Sequence, residues 1–250
     1  MNKIGIIVQA RTSSTRLPNK VIRPFYNEMT LLEIIINNLS KYFQKSDIII
    51  ATTTNPLDDI MEEIANKCGI NLFRGEEENV LKRYIDAAEK FAFSRIIRIC
   101  SDNPFLDMKA LNQLYSQDKL HSNDYIGYSV NKQPAIKTHY GFWAESVLLS
   151  ALRKALRLNK EKRYQEHVTN YIYENPDIFK IKWIEAPGFL KSKNLRFTID
   201  TIEDFELQQL IYNKLIEREE EINIRNLYHI IDSNPYFAEI MRKQILVNQK

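Results

Sequence analysis

Apolar and polar positions alternate in blocks along the first half of the chain. Short apolar runs at Ile4–Gln9, Asp47–Thr52, Asn71–Phe73 and Arg95–Cys100 read as strands. Between them, Leu31–Phe43, Pro56–Cys68 and Val80–Phe91 carry a helical pattern. Asn55 precedes Pro56 as an N-cap with proline at the first helical position, and Gly69 follows Cys68 as a stop. Strand–helix alternation with short connections predicts a parallel sheet with helices on both faces. A further helix is expected over 108–120 and a strand over 124–131. The pattern then changes, because 132–143 is irregular and carries Pro134 with the aromatic cluster Tyr140, Phe142 and Trp143. Helices are expected over Glu145–Leu158 and Arg163–Glu174, with strands near Phe179–Glu185 and Leu195–Thr198. From Glu203 on, helices are broken near Asn223 and at Asn234-Pro235. No internal repeat or linker interrupts the chain, so one α/β domain over 1–250 is expected. Residues 132–190 are read as an insertion that covers the site or pairs with a second subunit.

Composition narrows the class. The 250 residues are 44% hydrophobic and 27% charged, as in a soluble globular protein. A net charge of only +3 gives no broad electrostatic footprint for nucleic acid. Cys68 and Cys100 form neither a disulfide framework nor metal spacing. No apolar run reaches the roughly 18–20 residues of a membrane helix, and no signal peptide is expected. A cytoplasmic protein with no membrane or nucleic-acid partner is expected.

The first candidate chemistry follows the first strand. Arg11, Arg16 and Lys20 fall within ten residues with no acid among them. Ligands of open α/β sheets bind at the carboxyl ends of the strands. Cations there call for a polyanion, with Arg suited to bidentate phosphate contact and Lys to a point charge. Thr12, Ser13, Ser14 and Thr15 add hydroxyl donors. The segment has no glycine and the chain has no G-x-x-x-x-G-K-[ST], which excludes a P-loop.

Two acidic centres follow strand candidates. Asp102 comes just after Arg95–Cys100, on the sheet edge of the basic loop. A carboxylate beside a triphosphate is repelled unless a divalent cation lies between them, so Asp102 implies Mg²⁺ or Mn²⁺. Asp107 is read as the cap of the next helix. Asp200 is read either as an N-cap or as a second metal ligand, and Asp204 as a solvated first-turn acid.

Taken together, these blocks resemble the cytidylyltransferase superfamily of sugar-activating enzymes. The likeness is to the spore-coat polysaccharide biosynthesis F-type branch, with the CMP-KDO and CMP-sialate synthetases as cousins. Gln9-Ala-Arg11-Thr-Ser-Ser-Thr-Arg16-Leu-Pro-Asn-Lys20 is similar to the family's Q-A-R-x-x-S-x-R-L-P-x-K loop. Ala51-Thr-Thr-Thr-Asn-Pro-Leu-Asp-Asp59 resembles its second strand-to-helix turn, and the segment from Arg74-Gly to Arg83-Tyr resembles R-G-x-E-x-x-V-L-x-R-Y. Ser101-Asp102-Asn-Pro-Phe-Leu-Asp107 resembles G-D-x-P-L-x-D, and Gln165-Glu-His167-Val-Thr169 resembles R-E-H-V-T. Arg196-Phe-Thr-Ile-Asp200-Thr-Ile-Glu-Asp204 resembles R-x-T-x-D-x-x-x-D. Where the family commonly has glycine, this chain has Ser13, Asn19 and Ser101, and Trp143 stands where the spore-coat branch usually has Asp. A serine at 101 would crowd a phosphate if that backbone had positive φ.

The resemblance implies a Rossmann-like nucleotide-diphospho-sugar transferase fold, with a mostly parallel mixed sheet flanked by helices. It implies Mg²⁺-dependent transfer of a nucleotidyl group, CMP from CTP being favoured, to a sugar with release of pyrophosphate. Ala10, Arg11, Ser14, Arg16, Lys20, Thr52, Asn79 and Ser101 would meet the nucleotide. Asp102 and Asp200 would hold metal and, with Arg11 and Lys20, form the catalytic set. His139, Tyr140 and His167 would face the sugar, and a homodimer through part of 132–190 is expected. The rival readings are a glycosyltransferase, disfavoured because the chain has no D-x-D, and a non-catalytic nucleotide-sugar-binding subunit.

Overall fold

The computed structural model describes residues 3–120, 122–190 and 194–248. The first half comprises β1 (Ile4–Gln9), β2 (Pro24–Tyr26), β3 (Met29–Thr30), α1 (Leu31–Ser40), β4 (Ile48–Thr53), α2 (Ile60–Cys68), β5 (Asn71–Gly75), α3 (Val80–Lys90) and β6 (Arg95–Cys100). It continues with α4 (Met108–Leu120), β7 (Tyr125–Val130), β8 (Gln133–Pro134), β9 (Glu145–Leu148), α5 (Leu149–Leu158), α6 (Lys162–Glu166), α7 (Asn170–Tyr173), β10 (Ile181–Glu185), α8 (Ile202–Glu217), α9 (Ile224–Asp232) and α10 (Pro235–Val247).

Eight strands form one mixed sheet in the order β10-β7-β9-β6-β1-β4-β5, with β8 on β7, while β2 and β3 pair apart from it. β1 lies between β4 and β6, parallel to both. Its apolar run is buried on both faces, as a central strand of a helix-covered sheet must be. Alternation along the strand divides the core, with Ile6 and Val8 packing on one face and Ile7 on the other. Gly5 is required where the Phe93 ring crosses β1, because a Cβ there would lie 2.1 Å from the ring.

The expected helix boundaries rest on visible capping chemistry. Thr30 and Glu33 form a reciprocal capping box at α1. The Asn55 side chain accepts the Leu57 N–H, and Gly69 ends α2 at φ 70°. Asp107 accepts the Ala110 N–H at 2.9 Å and so caps α4.

The second half differs from expectation in three places. The helix read over Glu145–Leu158 begins as a strand, since β9 fills the gap between β6 and β7 and runs antiparallel to both. Buried strand edges need partners for their backbone groups, and that requirement outweighs the local helical pattern. The helix read over Arg163–Glu174 is broken at His167–Thr169 into α6 and α7. Leu195–Thr198 joins no ladder. The Phe197 N–H donates to the His139 carbonyl at 2.8 Å and the Ile199 N–H to the Asp102 carbonyl at 3.0 Å.

The aromatic cluster turns inward. Tyr140, Phe142 and Trp143 are 6%, 1% and 6% exposed, so these rings are core and cannot build a subunit interface. Trp143 stacks on Tyr128, and Phe142 packs on Phe197. Among the described residues no helix is long and apolar enough to cross a membrane.

Candidate active site

The loop leaving β1 is anchored from below by Asp58. Its carboxylate accepts the Thr12 N–H at 2.8 Å, the Thr12 hydroxyl at 2.7 Å and the Thr53 hydroxyl at 2.5 Å. In the sequence Asp58 stands only within the strand-to-helix turn Ala51–Asp59, yet it is 1% exposed and fixes the loop's first turn. Burial pushes its pKa up, but the hydrogen bonds from Thr53 and Thr12 outweigh burial and bring it below the ordinary 3.8. The loop is closed by the Asn19 N–H donating to the Thr12 carbonyl at 2.9 Å. Asn19 sits at φ 60°, a conformation that asparagine tolerates better than other residues with a side chain. Ser101 is not among the positive-φ residues, so its Cβ causes no backbone strain.

Because the folded pKa of Asp58 lies below the unfolded one, its stabilisation is complete above the unfolded value. It is lost as pH falls through the folded value. Asp58→Asn is expected to cost about 1.5–3 kcal/mol at neutral pH, the scale of hydrogen bonds to a charged group. It should also flatten the acid limb of a plot of Tm against pH. Parallel wild-type and variant melts between pH 3 and 7 check this, and coincident curves would remove Asp58 as the anchor.

Arg11, Ser14, Arg16 and Lys20 line a cavity of about 300 Å³ together with Ser101, Asp102 and Asp200. Lys20 Nζ lies 3.1 Å from Asp102 Oδ2 and 3.7 Å from Asp200 Oδ1, and it donates to the Ile199 carbonyl at 2.6 Å. Arg16 Nη2 reaches Asp200 Oδ1 at 2.7 Å, while its Nη1 donates to Asn248. The two carboxylates therefore converge on one cationic atom. Hard oxygen donors converging in this way fit Mg²⁺, which takes one or two carboxylates and completes its shell with phosphate oxygens and water. Among the described residues no third His, Cys, Asp or Glu side chain joins this pair to form a metal cluster.

Asp200 is held from behind by Arg196. This arginine is fully buried and forks onto Asp204, with Nε 2.7 Å from Oδ1 and Nη2 2.6 Å from Oδ2. Nη2 also reaches Asp200 Oδ2 at 3.0 Å. Burial disfavours the Arg196 charge, but Asp204 and then Asp200 more than offset it and raise its pKa. Asp204, expected as a solvated acid, is 1% exposed, because it accepts this fork and the N–H groups of Asp200 and Thr201. Thr201, not Asp200, is the N-cap of α8. That leaves the Asp200 carboxylate free to face the loop cations.

A second cavity, of about 560 Å³, adjoins the first. Arg16, Arg98, Cys100, Asp102, His167 and Asp200 belong to the walls of both. Much of its remaining wall comes from Ala135–Thr138, Gly141, Trp143, Asn170 and Tyr173, within the segment read as an insertion. Gly141 has φ +66°, and a Cβ there would stand 3.0 Å from Asn103 Oδ1, so the turn at this wall needs glycine.

Not every expected residue reaches these walls. His139 lies 2.5 Å through Nδ1 from Arg196 Nη1, so Nδ1 accepts and the ring proton sits on Nε2. This contact ties it to the buried network, and it lines neither cavity. Tyr140 donates its hydroxyl to the Leu190 carbonyl at 2.7 Å from within the core and lines neither cavity. Ala10 and Thr52 are buried under the loop, and the Asn79 side chain caps α3 by accepting the Lys82 N–H. The residues that sequence reasoning missed are Asp58, Arg98, Asn103 and the anchoring role of Arg196. Arg98 left a signal as an arginine inside the apolar run Arg95–Cys100, and Arg196 as the first residue of the R-x-T-x-D-x-x-x-D block.

The sequence profile of the cytidylyltransferase family matches residues 5–232. The chain belongs to the cytidylyltransferase family. It is 36% identical to the spore coat polysaccharide biosynthesis protein SpsF of Bacillus subtilis, over 94% of this chain and 96% of that one. It is 38% identical to an uncharacterised protein of Methanocaldococcus jannaschii, over 96% and 94%. Among solved structures, a cytidylyltransferase from Leptospira borgpetersenii superposes with a TM-score of 0.83 at 30% identity, covering 95% of this chain and 97% of that one. CMP:2-keto-3-deoxy-manno-octonic acid synthetase complexed with CTP gives 0.64 at 13% identity, over 85% and 99%, and shares the fold.

Proposed function

We propose that this cytidylyltransferase moves a cytidylyl group from CTP to a hydroxyl of a sugar destined for a surface polysaccharide, with pyrophosphate leaving. The observation that carries the reading is the pair of cavities with one common wall. A basic loop lines one, a mixed apolar and polar wall lines the other, and both candidate metal carboxylates lie between them. Family membership, the likeness to a polysaccharide biosynthesis protein and the shared fold of a CTP-bound synthetase support the choice of base and acceptor class.

In this reading Arg11, Arg16 and Lys20 receive the triphosphate, and the second cavity receives the sugar. Asp102 and Asp200 hold Mg²⁺, which would offset charge on the α-phosphate when bound. Lys20 and Arg16 neutralise those carboxylates in the free protein and turn to phosphate oxygens when nucleotide arrives. Catalysis then rests on positioning and on fixed positive charge around the leaving pyrophosphate. Pyrophosphate release tests the reading, with each of the common nucleoside triphosphates paired with neutral, amino and acidic sugars. Release with CTP and one sugar class is expected. Tight CTP binding without release under any pairing would favour a binding subunit instead.

Arg16→Ala is expected to weaken CTP binding by roughly 10- to 100-fold, the loss of charge-assisted hydrogen bonds of about 1.5–3 kcal/mol. Calorimetric titration measures it. An unchanged dissociation constant would move the triphosphate away from this loop.

A further inference from the structure

Arg98 has no part in the mechanism above, yet it occupies the common wall of the two cavities. It lies on β6, in register with Ile7 of β1 on one side and Glu145 of β9 on the other. Its side chain is 10% exposed and that of Glu145 is 4% exposed. Arg98 Nη1 donates to Glu145 Oε2 at 2.6 Å. The other oxygen of Glu145 accepts the hydroxyls of Tyr125 at 2.7 Å and Thr169 at 2.9 Å, so the carboxylate is fixed on both sides. Nε is buried with no partner. Nη2 makes no hydrogen bond to a described residue and is not among the buried unpartnered atoms, so it keeps solvent access on a side chain that lines both cavities.

A buried ion pair is costly to desolvate, and a pair of apolar side chains would fill the same space with less penalty. Here the carboxylate is satisfied by three donors, while the guanidinium keeps an unpaired N–H edge on a residue common to both cavity walls. A group passing from a donor in one cavity to an acceptor in the other must cross that seam. Arg16, the other cation on the seam, is loop-borne and its side chain is 53% exposed. Arg98 is the pre-oriented one, and preorganised donors in a dry site are the strongest form of electrostatic stabilisation.

We propose that Arg98 is a further catalytic residue, donating from Nη2 to a non-bridging oxygen of the α-phosphoryl group, with Glu145 as its positioning residue. The inference rests on the nucleotidyl-transfer reading. In that reaction the bond from the acceptor oxygen to phosphorus forms as the bond from phosphorus to the bridging oxygen breaks. The electron pair leaves with pyrophosphate and the hydroxyl proton passes to solvent, while Arg98 keeps its protons throughout.

The test compares CMP with cytidine in the presence of Mg²⁺ by calorimetric titration, because the two differ only in the α-phosphate. Arg98→Gln alone leaves Glu145 buried without its cation, so the double variant Arg98→Gln/Glu145→Gln removes both charges together, and thermal melts verify its fold. The expected result is about a 10-fold or greater loss of CMP affinity, the scale of a charge-assisted hydrogen bond, with cytidine affinity unchanged in both variants. Glu145→Gln alone should give a smaller loss that is confined to CMP. An unchanged preference for CMP over cytidine in the folded double variant overturns the proposal. So does a loss confined to an acidic acceptor, which would assign Arg98 to a sugar carboxylate. A wild-type chain that binds neither CTP nor CMP removes the nucleotidyl-transfer reading, and this inference with it.

Discussion

Asp102→Asn and Asp200→Asn are each expected to lower turnover by roughly 10³-fold or more, because each removes a charge that would hold Mg²⁺ at the α-phosphate. The two variants should part company in stability. The Asp102 side chain is 27% exposed and pairs with Lys20, so its loss should move the melting free energy by less than about 1 kcal/mol. The Asp200 side chain is 7% exposed and faces Arg16, Lys20 and Arg196. Its neutralisation leaves a buried guanidinium short of a partner, which should cost about 3 kcal/mol. Pyrophosphate release at saturating Mg²⁺, measured beside thermal melts, separates the chemical from the structural loss. Wild-type turnover in either variant would make that carboxylate structural and would leave the metal without its pair.

The sheet's parallel half could be read from sequence because its determinants are local. β1 and β6 begin and end where their apolar runs do, and Asn55, Gly69 and Asp107 announce helix boundaries through their own backbone preferences. β9 could not be read this way. Its four residues are a strand only because β6 and β7 stand open on either side, and β6 lies some fifty residues away in sequence. The site divides along the same line. The cations of the first loop and the two aspartates lie at strand ends, where position alone suggests chemistry. Asp58 acts by accepting from Thr12, 46 positions distant, and no periodicity encodes such a partner. Arg196 acts on Asp200 and Asp204, four and eight positions on, but spacing alone does not say that all three are buried together. Arg98 was visible as a charge out of place in an apolar strand. Its partner Glu145 was hidden inside a segment that looked helical. The aromatics of 140–143 misled for the opposite reason, since a local cluster of rings does not say which way they point.

Arg196→Met should be among the most destabilising single changes in the chain, about 3–5 kcal/mol, since it strips the cation from two buried carboxylates at once. Asp204 would lose both arms of the fork, and Asp200 would lose the contact that turns it toward the loop. The consequence reaches the chemistry, because the segment carrying Asp200 joins no strand ladder and depends on this network and on its bonds to the His139 and Asp102 carbonyls. Turnover measured well below the variant's melting temperature should therefore fall as well. Arg16→Ala supplies the control. It removes an arginine from the same Asp200, but one whose side chain is 53% exposed, so its effect on stability should stay below about 1 kcal/mol while nucleotide binding suffers. Urea unfolding of the two variants decides between the roles. Equal midpoints would mean that the buried fork does not hold the Asp200 carboxylate in place. A large loss for Arg196→Met alone would separate the arginine that builds the site from the one that meets the substrate.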